Sequence, residues 1–139
     1  MPAASRVISQ TVTWNSLAAG IATLELLTRD AIDRINRHGE SLRSQMREAF
    51  AEARIAVEIT GLGSLFGIHL ARHPIRDFRD TLDEDAALRH RIFLGLFNEG
   101  VLIDPRGVGT ISTAVGEAEL DRFLEALGAV LARVGRYPG

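Results

Sequence analysis

IAVEITGLGSLFGIHL, residues 55–70, is the stretch on which the fold turns. Ile55, Val57 and Ile59 alternate with Ala56, Glu58 and Thr60, the two-residue period of a strand with one wet face. Gly61-Leu62-Gly63 punctuates the run, and Ser64–Leu70 reads as a second strand. So short a glycine-containing connection predicts that the two strands pair antiparallel. Gly61, Gly63 and Gly67 also invite comparison with a nucleotide-binding loop. That loop must follow a strand and open a helix, whereas these glycines join two strands, so hairpin geometry is the better reading.

Outward from the hairpin the period changes. Upstream, Leu17, Ile21, Leu24, Ile32, Ile35, Leu42, Met46 and Phe50 recur at three- and four-residue multiples. This predicts one long amphipathic helix over residues 17–54, bent or broken at Gly39. Residues 1–16 carry no helical period and read as an extended lead-in to a domain spanning 17–139. Downstream, Arg72–Asp80 is a charged loop around Pro74. Thr81, with Glu84 three residues on, predicts a capped helix over about 82–98, ended by Gly100. Val101-Leu102-Ile103 reads as a short strand, with Gly109–Thr113 as its partner. Leu120, Phe123, Leu124, Leu127, Val130, Leu131 and Val134 then mark a helix over about 117–135. The expected fold is α+β: a small, mainly antiparallel sheet of three or four strands with helices on one face.

Composition narrows the chemistry. The 139 residues carry a net charge of −2, which gives no reason to expect nucleic acid or an anionic membrane surface. No apolar run approaches the ~18 residues of a membrane span, and the N-terminus lacks the apolar stretch of a secretory signal. There is no cysteine, so no disulfide, thiolate metal site or cysteine nucleophile, which fits a reducing cytoplasm. All 16 basic residues are arginine. Without lysine the chain excludes both Schiff-base chemistry on a lysine and a P-loop lysine.

Few side chains point to a site. His69 and His73 stand four apart, but one lies in a predicted strand and the other precedes Pro74, so no metal site is expected. His38 and His90 fall on helices among charges and read as solvated. The cluster Asp80, Asp83, Glu84 and Asp85 lacks the spaced ligands of a calcium loop and is explained by helix capping. Arg106, in the turn Asp104-Pro105-Arg106-Gly107, can present a guanidinium fork to a carboxylate or phosphate. A solvent-exposed turn arginine is the plainer reading of the same residue.

A resemblance carries the reading further. Ser16–Leu27 (SLAAGIATLELL) resembles the helix that opens the C-terminal domain of class III pyridoxal-phosphate aminotransferases of the glutamate-1-semialdehyde aminomutase group. The likeness continues through INRHGESLRSQMREAF (35–50), VEITGLGSLFGIHL (57–70), FNEGVLIDPRGVGTIST (97–113) and EAELDRFLEAL (117–127), in the family's order. The resemblance implies the small domain of an enzyme that transfers an amino group with pyridoxal phosphate. In such enzymes the cofactor-bonding lysine, the aspartate facing the pyridine nitrogen and the stacking aromatic all belong to a large domain. Thr13 matches the family threonine that touches the cofactor phosphate of the partner subunit. Val12 replaces the glycine before it, however, and the family's Asn-Pro link is missing. Ser112-Thr113 matches a family Ser-Thr, with Ala114-Val115 in place of His-Thr. Arg106 occupies the loop that reaches toward substrate, which implies a carboxylate-facing role.

The expectation is therefore an isolated C-terminal domain, inactive and without cofactor on its own. The alternative is a non-catalytic α+β interaction or regulatory module keeping the same scaffold. Leu17, Ile21, Leu24, Ile32 and Ile35 form a stripe for the domain's own sheet, while Ala19, Ala22 and Leu26 lie opposite. A helix apolar on both faces predicts self-association through residues 10–30, with Trp14 in the contact, or cover by a missing large domain.

Overall fold

The computed structural model of the chain describes residues 14–135. Thr13 and the rest of the lead-in, 1–13, lie outside the described residues. In chain order the elements are α1 (Trp14–Leu26), α2 (Arg29–Glu52), β1 (Glu58–Thr60), β2 (Leu65–His69), a 3-10 turn (Phe78–Thr81), α3 (Ala86–Asn98), β3 (Val108–Thr110) and α4 (Glu117–Val134). The three strands form one antiparallel sheet in the order β1-β2-β3. This is the α+β arrangement expected.

The hairpin forms as read, with Ile59 opposite Ile68 and Thr60 opposite Gly67. Gly61 (φ 140°) and Gly63 (φ 57°) supply the positive dihedrals of the turn, which a side chain would oppose. Ile59, Phe66 and Ile68 are buried and face the helices, while Thr60, Leu65 and His69 lie on the other face. The third strand differs from expectation. Val101–Ile103 is not a strand, and β3 pairs with β2 instead, Phe66 opposite Gly109. Gly109 is bare because a Cβ there would sit 2.1 Å from the Phe66 ring.

The predicted single helix over 17–54 is two helices, broken at Leu27-Thr28 rather than at Gly39. Thr28 is extended (ψ 160°), and its side chain accepts a hydrogen bond from the Ala31 N–H at 3.2 Å, capping α2. Helical structure also begins at Trp14, inside the expected lead-in. Gly39 is tolerated in mid-helix because α2 crosses the hairpin turn there: a Cβ would lie 2.1 Å from the Gly63 carbonyl oxygen. Arg43 donates to the Gly63 and Leu65 carbonyls at 2.7 and 2.8 Å, and Arg47 to that of Ile59 at 2.8 Å, clasping the hairpin onto α2.

The cap before α3 also moves. Thr81 closes the 3-10 turn, donating to the Phe78 carbonyl at 2.7 Å, and Asp85 caps α3 by accepting from Leu88 N–H at 2.8 Å. The core gathers Leu42, Met46 and Phe50 of α2, Ile92 and Leu96 of α3, and Phe123, Leu127, Val130 and Leu131 of α4 over the sheet. Helices α3 and α4 approach closely at Gly95, where a Cβ would stand 2.7 Å from Val130.

Helix α1 joins none of this. The stripe Leu17, Ile21 and Leu24, expected to rest on the sheet, is 46%, 58% and 69% exposed. The sheet's inner face is already filled by α2 and α4, so among the described residues nothing covers the apolar side chains of α1.

Candidate functional site

The turn after Ile103 carries the sequence-predicted substrate arginine. Asp104 and Arg106 face each other across it: Arg106 Nε donates to Asp104 Oδ1 at 2.9 Å and Nη2 to Oδ2 at 3.0 Å. The Arg106 main-chain N–H adds a third bond at 2.8 Å, and Gly107 (φ 84°) completes the turn. This two-pronged pairing draws the Asp104 carboxyl from its ordinary 3.8 down to about 2 and raises Arg106 further. The Arg106 fork is thus filled by a carboxylate of its own turn, with the side chain 81% exposed. To receive a substrate carboxylate, Arg106 has to share or release Asp104.

Behind this turn lies an apolar groove of about 740 Å³ between Val101–Ile103, β3 and the start of α4. Leu42, Phe66, Ile111 and Phe123 form its floor. The apolar run 101–103 that sequence periodicity read as a strand is one wall of this groove, with Leu102 74% exposed.

A second cluster was not legible in the sequence. On the sheet face away from the helices, Thr60 Oγ1 stands 3.1 Å from His69 Nε2, and His69 Nδ1 stands 2.7 Å from Glu84 Oε1. Arg89 pairs with the other oxygen of the same carboxylate. The Glu84 side chain is only 2% exposed. Nδ1–H donates to the Glu84 carboxylate, while Nε2 accepts from the Thr60 hydroxyl in a neutral ring and donates to it in a protonated one. Gly67 makes room, since a Cβ there would lie 2.8 Å from Thr60 Oγ1 and 3.0 Å from His69 Nε2. Glu84, expected to serve a helix dipole, is instead the pin between the loop, α3 and the sheet. His69 and His73 do not converge, and among the described residues no cluster of three metal-ligating side chains occurs. His38, expected in solvent, has its Nδ1 buried with no partner, because its helix face turns toward the core. His90 is exposed and stacks on Phe93, their rings 6.4 Å apart.

A three-stranded antiparallel sheet layered against helices, preceded by an uncovered apolar helix, defines a class: by sequence and by fold the chain matches the C-terminal portion of pyridoxal-phosphate aminotransferases and glutamate-1-semialdehyde aminomutases. The particular likenesses are these. It is 32% identical over 117 residues to the β-phenylalanine transaminase of Variovorax paradoxus, a match covering 84% of this chain and 27% of the relative. With the glutamate-1-semialdehyde 2,1-aminomutase of Opitutus terrae it shares 32% identity over 119 residues, 84% of this chain and 28% of the relative. The solved β-phenylalanine aminotransferase from V. paradoxus superposes with a TM-score of 0.81 over 87% of this chain and 28% of its own. A transaminase with PLP bound gives 0.75 at 35% identity, over 88% of this chain and 28% of that one. No family model matches. The chain spans about 28% of the length of the relatives it matches. No described helix is long and apolar enough to cross a membrane.

The chain has no lysine with which to hold pyridoxal phosphate as an aldimine. The Arg106 fork is taken by Asp104.

Proposed function

We propose that this chain is the small domain of an aminomutase-like aminotransferase, acting in amino-group transfer only together with a large domain that carries the cofactor chemistry. The observation that carries this reading is the match itself: about a third of residues identical and a TM-score of 0.81 against one end of a transaminase, with 28% of that enzyme represented. Its absence of lysine agrees, because the cofactor-bonding amine has to come from elsewhere. In the assembled enzyme Thr13 would contact the cofactor phosphate of a partner subunit and Arg106 the substrate carboxylate. The reaction would take place in the cytoplasm.

Mixing decides the matter. The purified chain with pyridoxal phosphate alone should show neither a bound-cofactor absorbance band nor a transamination half-reaction. Both should appear when a lysine-bearing large-domain chain encoded beside it is added. A borohydride-reducible, stoichiometric cofactor adduct on an internal residue of this chain alone would overturn the reading.

Self-association belongs to the same proposal. Trp14 is 87% and Leu26 74% exposed on a helix whose only charged residue is Glu25. An apolar helix left uncovered by the other described residues favours burial against a second copy or the large domain.

A further inference from the structure

On the sheet face away from the helices, Thr60, His69 and Glu84 follow one another as hydroxyl, imidazole and carboxylate. They come from β1, β2 and the segment before α3, so only the fold brings them together. The Glu84 side chain is 2% exposed, whereas His69, at 16%, and the half-buried Thr60 both reach solvent. A buried acid behind an imidazole that meets a hydroxyl is the arrangement that activates a nucleophile.

Neutralising Glu84 does not require that series. Arg89 already pairs with the second oxygen of the same carboxylate. What the first oxygen does, at 2.7 Å from Nδ1, is fix the ring, which in its neutral form presents Nε2 as an acceptor 3.1 Å from Thr60 Oγ1.

Gly67 points the same way. It sits opposite Thr60 in mid-strand, where glycine ordinarily weakens a sheet and marks a close approach. A Cβ there would stand 2.8 Å from Thr60 Oγ1 and 3.0 Å from His69 Nε2, so glycine keeps that space free. Gly67 is also opposite Val108 on β3, and Leu65 lies two residues along the same face; these side chains are 45% and 53% exposed. Its bare backbone therefore lies between the hydroxyl–imidazole pair and two exposed apolar side chains.

We propose that Thr60 is a nucleophile that takes the acyl group of small activated esters, with His69 as its base and Glu84 as the residue that positions the ring. Thr60 Oγ1 bonds to the ester carbonyl carbon as its proton passes to His69 Nε2. The bond from that carbon to the leaving oxygen then breaks, and the leaving group departs with the electron pair and takes up the proton from His69. The acyl group stays on Thr60 as an ester, which water then hydrolyses. Val108 and Leu65 favour an apolar acyl or aryl part in the substrate. This activity is separate from the aminotransferase reading and stands or falls without it.

The test mixes the 139-residue chain with p-nitrophenyl acetate, follows release of p-nitrophenolate and locates the acetyl group by peptide mass spectrometry. A burst of about one p-nitrophenolate per chain is expected, with the acetyl group on Thr60. His69→Gln should slow the burst about a hundredfold or more, and Thr60→Val should abolish it. Thr60→Ser keeps the hydroxyl and should keep the burst, with the acetyl group now on the serine. Circular dichroism establishes that each variant is folded. No burst from the wild-type chain, an acetyl group elsewhere with Thr60 unmodified, or an undiminished burst in Thr60→Val or His69→Gln overturns the proposal.

Discussion

At Gly39 helix propensity and packing pull in opposite directions. Alanine would add about 1 kcal/mol of helix stability in an open helix. Here its Cβ would lie 2.1 Å from the Gly63 carbonyl oxygen, backbone against backbone, so neither side can yield cheaply. Gly39→Ala is expected to destabilise the chain by about 2 kcal/mol in urea unfolding, with the hairpin displaced from α2. Glu84 is the other sensitive residue: only 2% exposed, it holds His69 and Arg89 at once. Glu84→Gln keeps the size but removes the charge facing Arg89 and should cost about 2 kcal/mol. At Asp104 the sign follows from the depressed folded value. The pairing contributes above the ordinary 3.8 and is lost as pH falls through about 2, so an NMR titration of the carboxyl carbon should have its midpoint near the lower value. Arg106→Gln should return that midpoint toward 3.8.

Among the elements, α1 and α2 show how a periodic pattern misleads about continuity. Apolar residues recur in helical register from Leu17 to Phe50, and periodicity has no means of registering a break that preserves the phase. Thr28, a capping residue, held the signal for that break: its side chain accepts from Ala31 N–H, and Thr28→Ala should cost about 1 kcal/mol. The same kind of error explains α3. Thr81 and Glu84 fit a capping box by spacing, yet Asp85 takes the cap and Glu84 turns to His69. Val101–Ile103 is apolar enough for a strand, but strand formation needs a partner edge, and β2 offers its edge to Val108–Thr110. For α1 the expected outcome is association: Leu26→Glu should shift the chain toward monomer in sedimentation. Burying one leucine is worth about 1.5–3 kcal/mol, so a wild-type chain monomeric at high concentration would sink the idea.

For the whole molecule, stability is concentrated in one place and missing in another. Leu96, Leu127, Val130 and Leu131 are within 1% of full burial, whereas every large apolar side chain from Trp14 to Leu27 is at least 39% exposed. Hydrogen exchange should therefore be slowest across Leu127–Leu131 and fast along α1 in the isolated chain at low concentration. If the small-domain reading is right, α1 amides become protected on mixing with the large domain. Protection of α1 that is already full in the dilute monomer would contradict it.

Taken from the residues alone, alternation in 55–70, helical period on either side and the absence of lysine determined the α+β class, the antiparallel hairpin and the exclusion of lysine chemistry. These are local properties: they depend on the order of apolar and polar residues and on which functional groups exist at all. Tertiary structure alone decided which strand β3 joins, that Gly39 is a contact rather than a break, and that His69, Glu84, Arg89 and Thr60 meet. Each of these joins residues distant in the chain, and no one-dimensional period encodes which side chains the packing of helices on the sheet brings within a few ångströms.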